Sequence, residues 1–229
     1  RAAVFLPFSA IFRSKMLVNS KKICYTVRRM AFYAISQCGE SQILGTRSVS
    51  VMHILPLDRE KYDYFELHYS YTTTGHYKAA VVDSKDCMSY TLTRENYDAP
   101  RVEENTDTLF QDYWQNPEAF AACDEDGTVL GYVEFASEEW NNRLRMTQLL
   151  VLPESRGKGV GRFLVDFVKA TAKERDYRVI VLETQNYNLP AIDFYHACGF
   201  RFCGGNTFFY SNSDMEDDEV MLEMSFLVD

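Results

Sequence analysis

The stretch VLPESRGKGVGRFLVDFVKATAKE, residues 151–174, sets Gly157, Gly159 and Gly161 between an apolar run and a helix-like repeat, with Arg156, Lys158 and Arg162 interleaved. Glycine accepts φ > 0 without a Cβ clash, so a chain with this spacing can turn sharply and bring successive backbone N–H groups close to one ligand. The helix that follows adds its unpaired first-turn N–H groups and the positive end of its dipole. Residues Arg156, Gly157, Lys158, Gly159, Val160, Gly161 and Arg162 are therefore predicted to bind a pyrophosphate, with the basic side chains as countercharge. The spacing fits neither the GxxxxGK[ST] nucleotide loop nor the GxGxxG dinucleotide fingerprint.

Downstream lies RVIVLETQNYNLPAIDFYHACGFRF, residues 178–202. Val179 to Leu182 form a β-branched run suited to a sheet core, and Pro190 suits the first turn of a helix that stops at Gly199. Glu183 is followed by Asn188 and then by Tyr195. RGKGVG with this Glu, Asn and Tyr in one order resembles the GNAT N-acetyltransferase superfamily. The resemblance implies an α/β fold, a mixed central sheet with splayed strands flanked by helices, and acetyl-CoA as the acetyl donor. It implies that Asn188 contacts the pantetheine arm, that Tyr195 protonates the departing thiolate, and that backbone N–H groups near Leu149, Leu150 and Val151 stabilise an oxyanion at a bulge. The segments YDAP, EEWNNR and LETQNYNLPAIDFYHACGF resemble parts of the streptothricin acetyltransferases, which acetylate an amine of a polycationic antibiotic. Those enzymes carry an acidic pair where Thr147 and Gln148 stand here.

An amine attacks a thioester only as the free base, so an ammonium must first lose a proton to a carboxylate or to water held by one. Glu183 is the first candidate base and Glu134 the second; the alternative for Glu183 is to hold the neighbouring loop, and for Tyr195 to pack between helix and sheet. Glu103, Glu104, Asp107 and Asp112, with Glu138 and Glu139, are candidates for an acidic entrance that draws in a cation, or form an ordinary solvated face. Three functions remain open: a small-molecule amine acetyltransferase acting on a streptothricin-like antibiotic or a polyamine, a protein N-terminal or lysine acetyltransferase, and a non-catalytic acyl-CoA sensor.

Charge divides the chain. Residues 1–51 carry a net +7 and residues 52–229 a net −16. A basic extension at 1–51, read upstream of a start at Met52, is the expectation, with one acidic acetyltransferase domain at 52–229; a signal peptide or an organelle-targeting segment at 1–51 is the alternative. The acidic surface argues against a nucleic-acid partner. No apolar run reaches the roughly 20 residues of a membrane helix, so no membrane partner and a cytoplasmic location are expected. Cys24, Cys38, Cys87, Cys123, Cys198 and Cys203 show no CxxC pair and are read as free thiols. His53, His68, His76 and His196 lack metal-ligand spacing, so no metal is expected. A monomer and a homodimer are both compatible with the sequence.

The coarse elements run as follows. A strand is expected at MHILPL, a helix over EKYDYFELHYSY, strands at YKAAVV and MSYTLT, and a short helix capped by Thr106 or Asp107 through Trp114. A hairpin turning at Asp126–Gly127, the strand RMTQLLVL and closing strands at FRFCGG, TFFYS and VMLEMSFLV complete the domain.

Overall fold

The computed structural model describes residues 51–229; the expectation of an extension at 1–51 lies outside the described residues but for Val51. Seven strands form one sheet in the order β1-β4-β5-β6-β7-β9-β8. They are β1 (His53–Pro56), β4 (Glu118–Cys123), β5 (Val129–Glu138), β6 (Arg143–Val151), β7 (Val179–Gln185), β8 (Arg201–Asn206) and β9 (Met221–Leu227). Only β6 and β7 run parallel; every other neighbouring pair is antiparallel. The mixed sheet with flanking helices agrees with the expected α/β class.

Two helices build the core with the sheet, after a single turn α1 (Arg59–Tyr62). Helix α2 (Val160–Glu174) repeats its apolar residues so that Val160, Leu164, Val165, Val168 and Ala172 form one buried stripe. That stripe packs on Val133, Phe135, Leu144 and Ile180 of the sheet. Helix α3 (Leu189–Ala197) starts with the Asn188 side chain accepting from the Ala191 N–H and with Pro190 in its first turn. It ends where Gly199 takes φ +88°. There the Phe200 N–H reaches the Tyr195 carbonyl at 3.0 Å and the Gly199 N–H reaches the His196 carbonyl at 2.9 Å, a Schellman closure. His196 Nδ1 meets the Phe200 carbonyl oxygen at 3.2 Å, a packing and capping role rather than a ligand's.

A separate antiparallel ribbon joins β2 (Glu66–Asp83) to β3 (Met88–Thr108). It replaces both helices expected here, save that the single turn α1 covers the first residues of EKYDYFELHYSY. Leu67, Tyr69, Tyr71 and Thr73 alternate toward the interior, which is a strand's period of 2, and the partner strand holds Glu103 to Thr108 extended, leaving no room for a helix capped at Thr106 or Asp107. Pairing jumps from Thr73–Arg101 to Gly75–Asn96, so Tyr97–Pro100, the YDAP segment, loops out of the ladder. A Cβ at Gly75 would lie 2.1 Å from the Glu95 carbonyl oxygen, so this crossing requires glycine.

TFFYS also departs from its expected strand. Asp214, 1% exposed, accepts from the N–H groups of Phe209, Tyr210 and Ser211 at 2.7, 3.0 and 2.6 Å. Those donors are thereby removed from any ladder, and residues 207–219 fold into a compact loop. Cys87, Cys123, Cys198 and Cys203 are free thiols; Cys24 and Cys38 lie outside the described residues.

Asn186 ties the ribbon and this loop to the sheet. It is fully buried; its Nδ2 donates to the carbonyls of Tyr77 (3.0 Å) and Asp218 (2.9 Å), and its Oδ1 accepts from the Val220 N–H (3.0 Å). Replacing Asn186 with Ala leaves these buried backbone groups without partners and is expected to cost about 2–3 kcal/mol. Thermal unfolding should show this as a fall of roughly 5–10 °C in Tm.

Candidate active site

The site begins where the sheet opens. β6 and β7 pair only from Arg143–Val179 to Met146–Leu182, although both strands continue. Against β5 the register slips, Glu134 facing Gln148 while Phe135 faces Met146, so Thr147 is an extra residue on β6. Past the slip, the Leu152 N–H donates to the Leu130 carbonyl on the β5 side. By the two-residue alternation of an antiparallel ladder, the Leu149 and Val151 N–H groups then face the gap that β7 vacates.

One cleft, of about 520 Å³, runs along this gap. Leu149, Leu150, Val151, Arg156, Gly157, Gly159, Val160, Gly161, Arg162, Asn188 and Tyr195 line it; of the residues expected to bind the donor, only Lys158 stands outside its lining. Gly157 and Gly159 adopt φ of +72° and +87°, and a Cβ built on either would project into open space. Gly161 serves packing instead, since a Cβ there would come 3.1 Å from the Phe194 ring. The N–H groups of Gly157, Lys158 and Gly159 meet no acceptor among the described residues, and those of Val160 to Arg162 are the free first-turn donors of α2. A row of unpaired donors at a helix start, with two guanidinium groups beside it, fits a pyrophosphate. Arg156 is braced by its Nε donating to the Val151 carbonyl at 3.2 Å, and Arg162 by its Nη2 donating to the Ala197 carbonyl at 2.9 Å. Asn188 spends its Oδ1 on capping α3, which leaves its amide N–H groups for a ligand in the cleft.

A second cleft, of about 650 Å³, meets the first at Tyr69, Tyr71, Leu149, Asn188, Ala191 and Tyr195. Glu103, Glu104, Asp107, Glu183 and Glu219 face it, with Tyr113, Trp114, Tyr187, Phe209 and Tyr210 as aromatic walls. Asp112 does not belong to it. That residue is 77% exposed, pairs with Arg59 at 3.2 Å and accepts from the Tyr64 hydroxyl at 2.9 Å. Glu138 is bound to Arg143 and Arg145, with Glu223 on their far side, and Glu139 lies in the turn after β5. Neither lines the cleft. The aromatic wall escaped sequence reading because its members come from three separate places, the turn after β3, the turn after β7 and the loop around Asp214.

The two candidate bases part company. Glu134 is fully buried and lines neither cleft. One oxygen accepts from the Phe110 N–H and the other from the Thr147 hydroxyl, each at 2.6 Å. Burial raises its carboxyl against those hydrogen bonds, and its task is to pin the β6 bulge to the turn that follows β3. Glu183 faces the second cleft and accepts from the Tyr210 hydroxyl at 2.9 Å. Burial raises it above the ordinary glutamate range, opposed by the Tyr210 hydrogen bond and the Arg145 charge and aided by Asp107 and Glu223. Tyr195, at the junction, is pushed well above the ordinary tyrosine range by burial, so its hydroxyl keeps its proton.

The chain belongs to the acetyltransferase (GNAT) family, whose family model matches residues 88–200. It is similar to streptothricin acetyltransferases from Streptomyces lavendulae (35% identical over 44% of this chain and 54% of that protein) and Escherichia coli (34% over 42% and 55%). The chain thus spans about half the length of these curated relatives. Among solved structures, a nourseothricin acetyltransferase is 29% identical, with a TM-score of 0.60 over 78% of this chain and 99% of that one. A Bacillus anthracis structure with acetyl coenzyme A bound is 25% identical, with a TM-score of 0.60 over 80% and 100%. Among the described residues no helix is long and apolar enough to cross a membrane.

Gly159→Val forces a β-branched residue into positive φ and fills the space above the loop. Calorimetry should find acetyl-CoA affinity reduced at least about tenfold in a protein that still folds, the loss of one or two N–H bonds to a charged oxygen. Unchanged affinity would show that the phosphates bind elsewhere.

Proposed function

We propose that the protein moves an acetyl group from acetyl-CoA to a primary amine of a cationic small molecule of streptothricin type. The observation that carries this reading is the meeting of two unlike clefts at Tyr195, one rich in free N–H donors and one acidic and aromatic. Acetyl-CoA supplies the acetyl as an activated thioester. The basic loop and the start of α2 hold its phosphates, and Asn188 reaches its pantetheine arm. Glu103, Glu104, Asp107 and Glu219 attract a polycation, and the tyrosines and Trp114 offer it ring faces. Glu183 takes a proton from the ammonium, freeing the nitrogen lone pair. The Leu149 and Val151 N–H groups donate to the carbonyl oxygen as it gains negative charge. Tyr195 gives its proton to the sulfur as the thiolate leaves. No step in this sequence draws on a metal.

Release of free thiol from acetyl-CoA, measured with streptothricin, polyamines and basic peptides, tests the reading. Turnover with streptothricin is expected; turnover with a peptide amine alone would transfer the site to protein acetylation. Tyr195→Phe should lower kcat by about 10²–10⁴-fold where thiolate departure limits the rate, with acetyl-CoA affinity retained. A base must be ionised to act, and the Glu183 carboxyl is raised. The acidic limb of kcat/KM should therefore lie above the ordinary glutamate range, with activity lost as pH falls through it. Glu183→Gln should remove the limb along with most of the activity.

A further inference from the structure

The ribbon brings to the junction a tyrosine that the scheme above leaves without a task. Tyr69 lies on the wall common to both clefts, and its hydroxyl donates to Gln148 Oε1 at 2.7 Å. The Gln148 side chain, in a residue 6% exposed, donates from Nε2 to Asp107 Oδ2 at 2.6 Å. Chemistry fixes the direction of this chain. A carboxylate only accepts, so Asp107 takes the amide N–H and leaves the amide oxygen to Tyr69. Asp107 cannot swing away, because its Oδ1 accepts from the Thr108 N–H at 2.7 Å and from Gln111. Burial foremost, with the negative charges of Asp107 and Glu134 added, raises the Tyr69 hydroxyl well above its ordinary range, so it remains a donor.

We propose that Tyr69 positions the acceptor amine at the junction of the two clefts and that Asp107 acts on it through Gln148, an inference that rests on the acetyl-transfer reading. With its one proton committed to Gln148, the Tyr69 oxygen presents only lone pairs to the junction, so it accepts from an N–H and cannot donate. The Asp107 charge polarises both hydrogen bonds and makes that oxygen a stronger acceptor. An ammonium carries three N–H donors. One is held by Tyr69 while another proton passes to Glu183, which fixes the nitrogen as its lone pair appears. Tyr69 is thus a binding group for the amine, and Gln148 and Asp107 are positioning residues.

Streptothricin is the probe amine, and acetyl-CoA affinity is read separately by calorimetry. Tyr69→Phe should raise KM for streptothricin roughly 10- to 100-fold, the loss of a hydrogen bond to a charged group, while leaving the acetyl-CoA Kd unchanged. Asp107→Asn should raise the same KM in the same direction. Adding Gln148→Glu to Asp107→Asn returns a carboxylate to the chain, now in direct contact with Tyr69, and should recover most of the loss. Where Tyr69→Phe failed to fold, the near-isosteric Asp107→Asn gives the same readout. Unchanged streptothricin KM in a folded Tyr69→Phe protein overturns the proposal, as does a double variant no better than Asp107→Asn. Wild-type turnover in the same assay separates the two readings. No turnover of any amine removes acetyl transfer and this proposal together, whereas normal wild-type turnover with an unaffected Tyr69→Phe removes the positioning role alone.

Discussion

At Thr147, β6 carries one residue more than β5 can match, and the Glu134 carboxylate fastens that residue by its hydroxyl. The parallel ladder with β7 ends at the neighbouring Met146–Leu182 pair. From there β6 keeps its bonds to β5 and shows its other edge to empty space. A sheet interior seldom leaves backbone donors without partners, since each buried one costs about 1–3 kcal/mol. Here the unpaired edge lines a cleft, and the same carboxylate that holds the bulge also holds the Phe110 N–H, which closes the turn leading out of β3. One buried acid thereby sets both the opening in the sheet and the end of the ribbon that walls the acidic cleft.

The opening separates two electrostatic environments over a short distance. On one side the start of α2 and the glycine loop offer N–H groups, a helix dipole and guanidinium charge. On the other, carboxylates from β3, β7 and the segment before β9 face one another among aromatic rings. In the proposed reaction, such fields sort an anionic donor from a cationic acceptor before any close contact forms. Burial is the main reason Glu183 is raised; the Tyr210 hydrogen bond and the Arg145 charge oppose it, and Asp107 and Glu223 add smaller like-charge contributions. The loop around Asp214 contributes through Tyr210, whose hydroxyl steadies one Glu183 oxygen.

Much of the donor side was legible in the sequence because it is local. Gly157 and Gly159, an apolar stripe at helical spacing and Asn188-Leu189-Pro190 are each set by neighbours in the chain, and the structure keeps them where the spacing indicates; Gly161 is instead required by the distant Phe194 ring. The hairpin at Asp126–Gly127 is of the same kind, with Gly127 at φ +82°. The acceptor side was not legible because long-range pairing decides it. EKYDYFELHYSY has helix-like spacing, and its residues from Glu66 onward become a strand because β3 stands opposite. Thr106 and Asp107 have the chemistry of a helix cap, yet Asp107 spends its oxygens on Thr108, Gln111 and Gln148. Phe209 and Tyr210 have strand propensity, yet Asp214 captures their N–H groups. Glu134 and Asp112 are acids of fitting type in the sequence, and only the fold reveals that one is a buried brace and the other an exposed partner of Arg59.

Amide hydrogen exchange resolved by residue tests the opened sheet most directly. The Leu150 N–H faces β5 and should be protected with or without ligand, since its partner does not change. The Leu149 and Val151 N–H groups face the gap and should exchange readily in the free protein, then slow markedly when acetyl-CoA is added at saturation. Exchange at Leu149 and Val151 that acetyl-CoA leaves unaltered, in protein shown by calorimetry to bind it, would contradict the account.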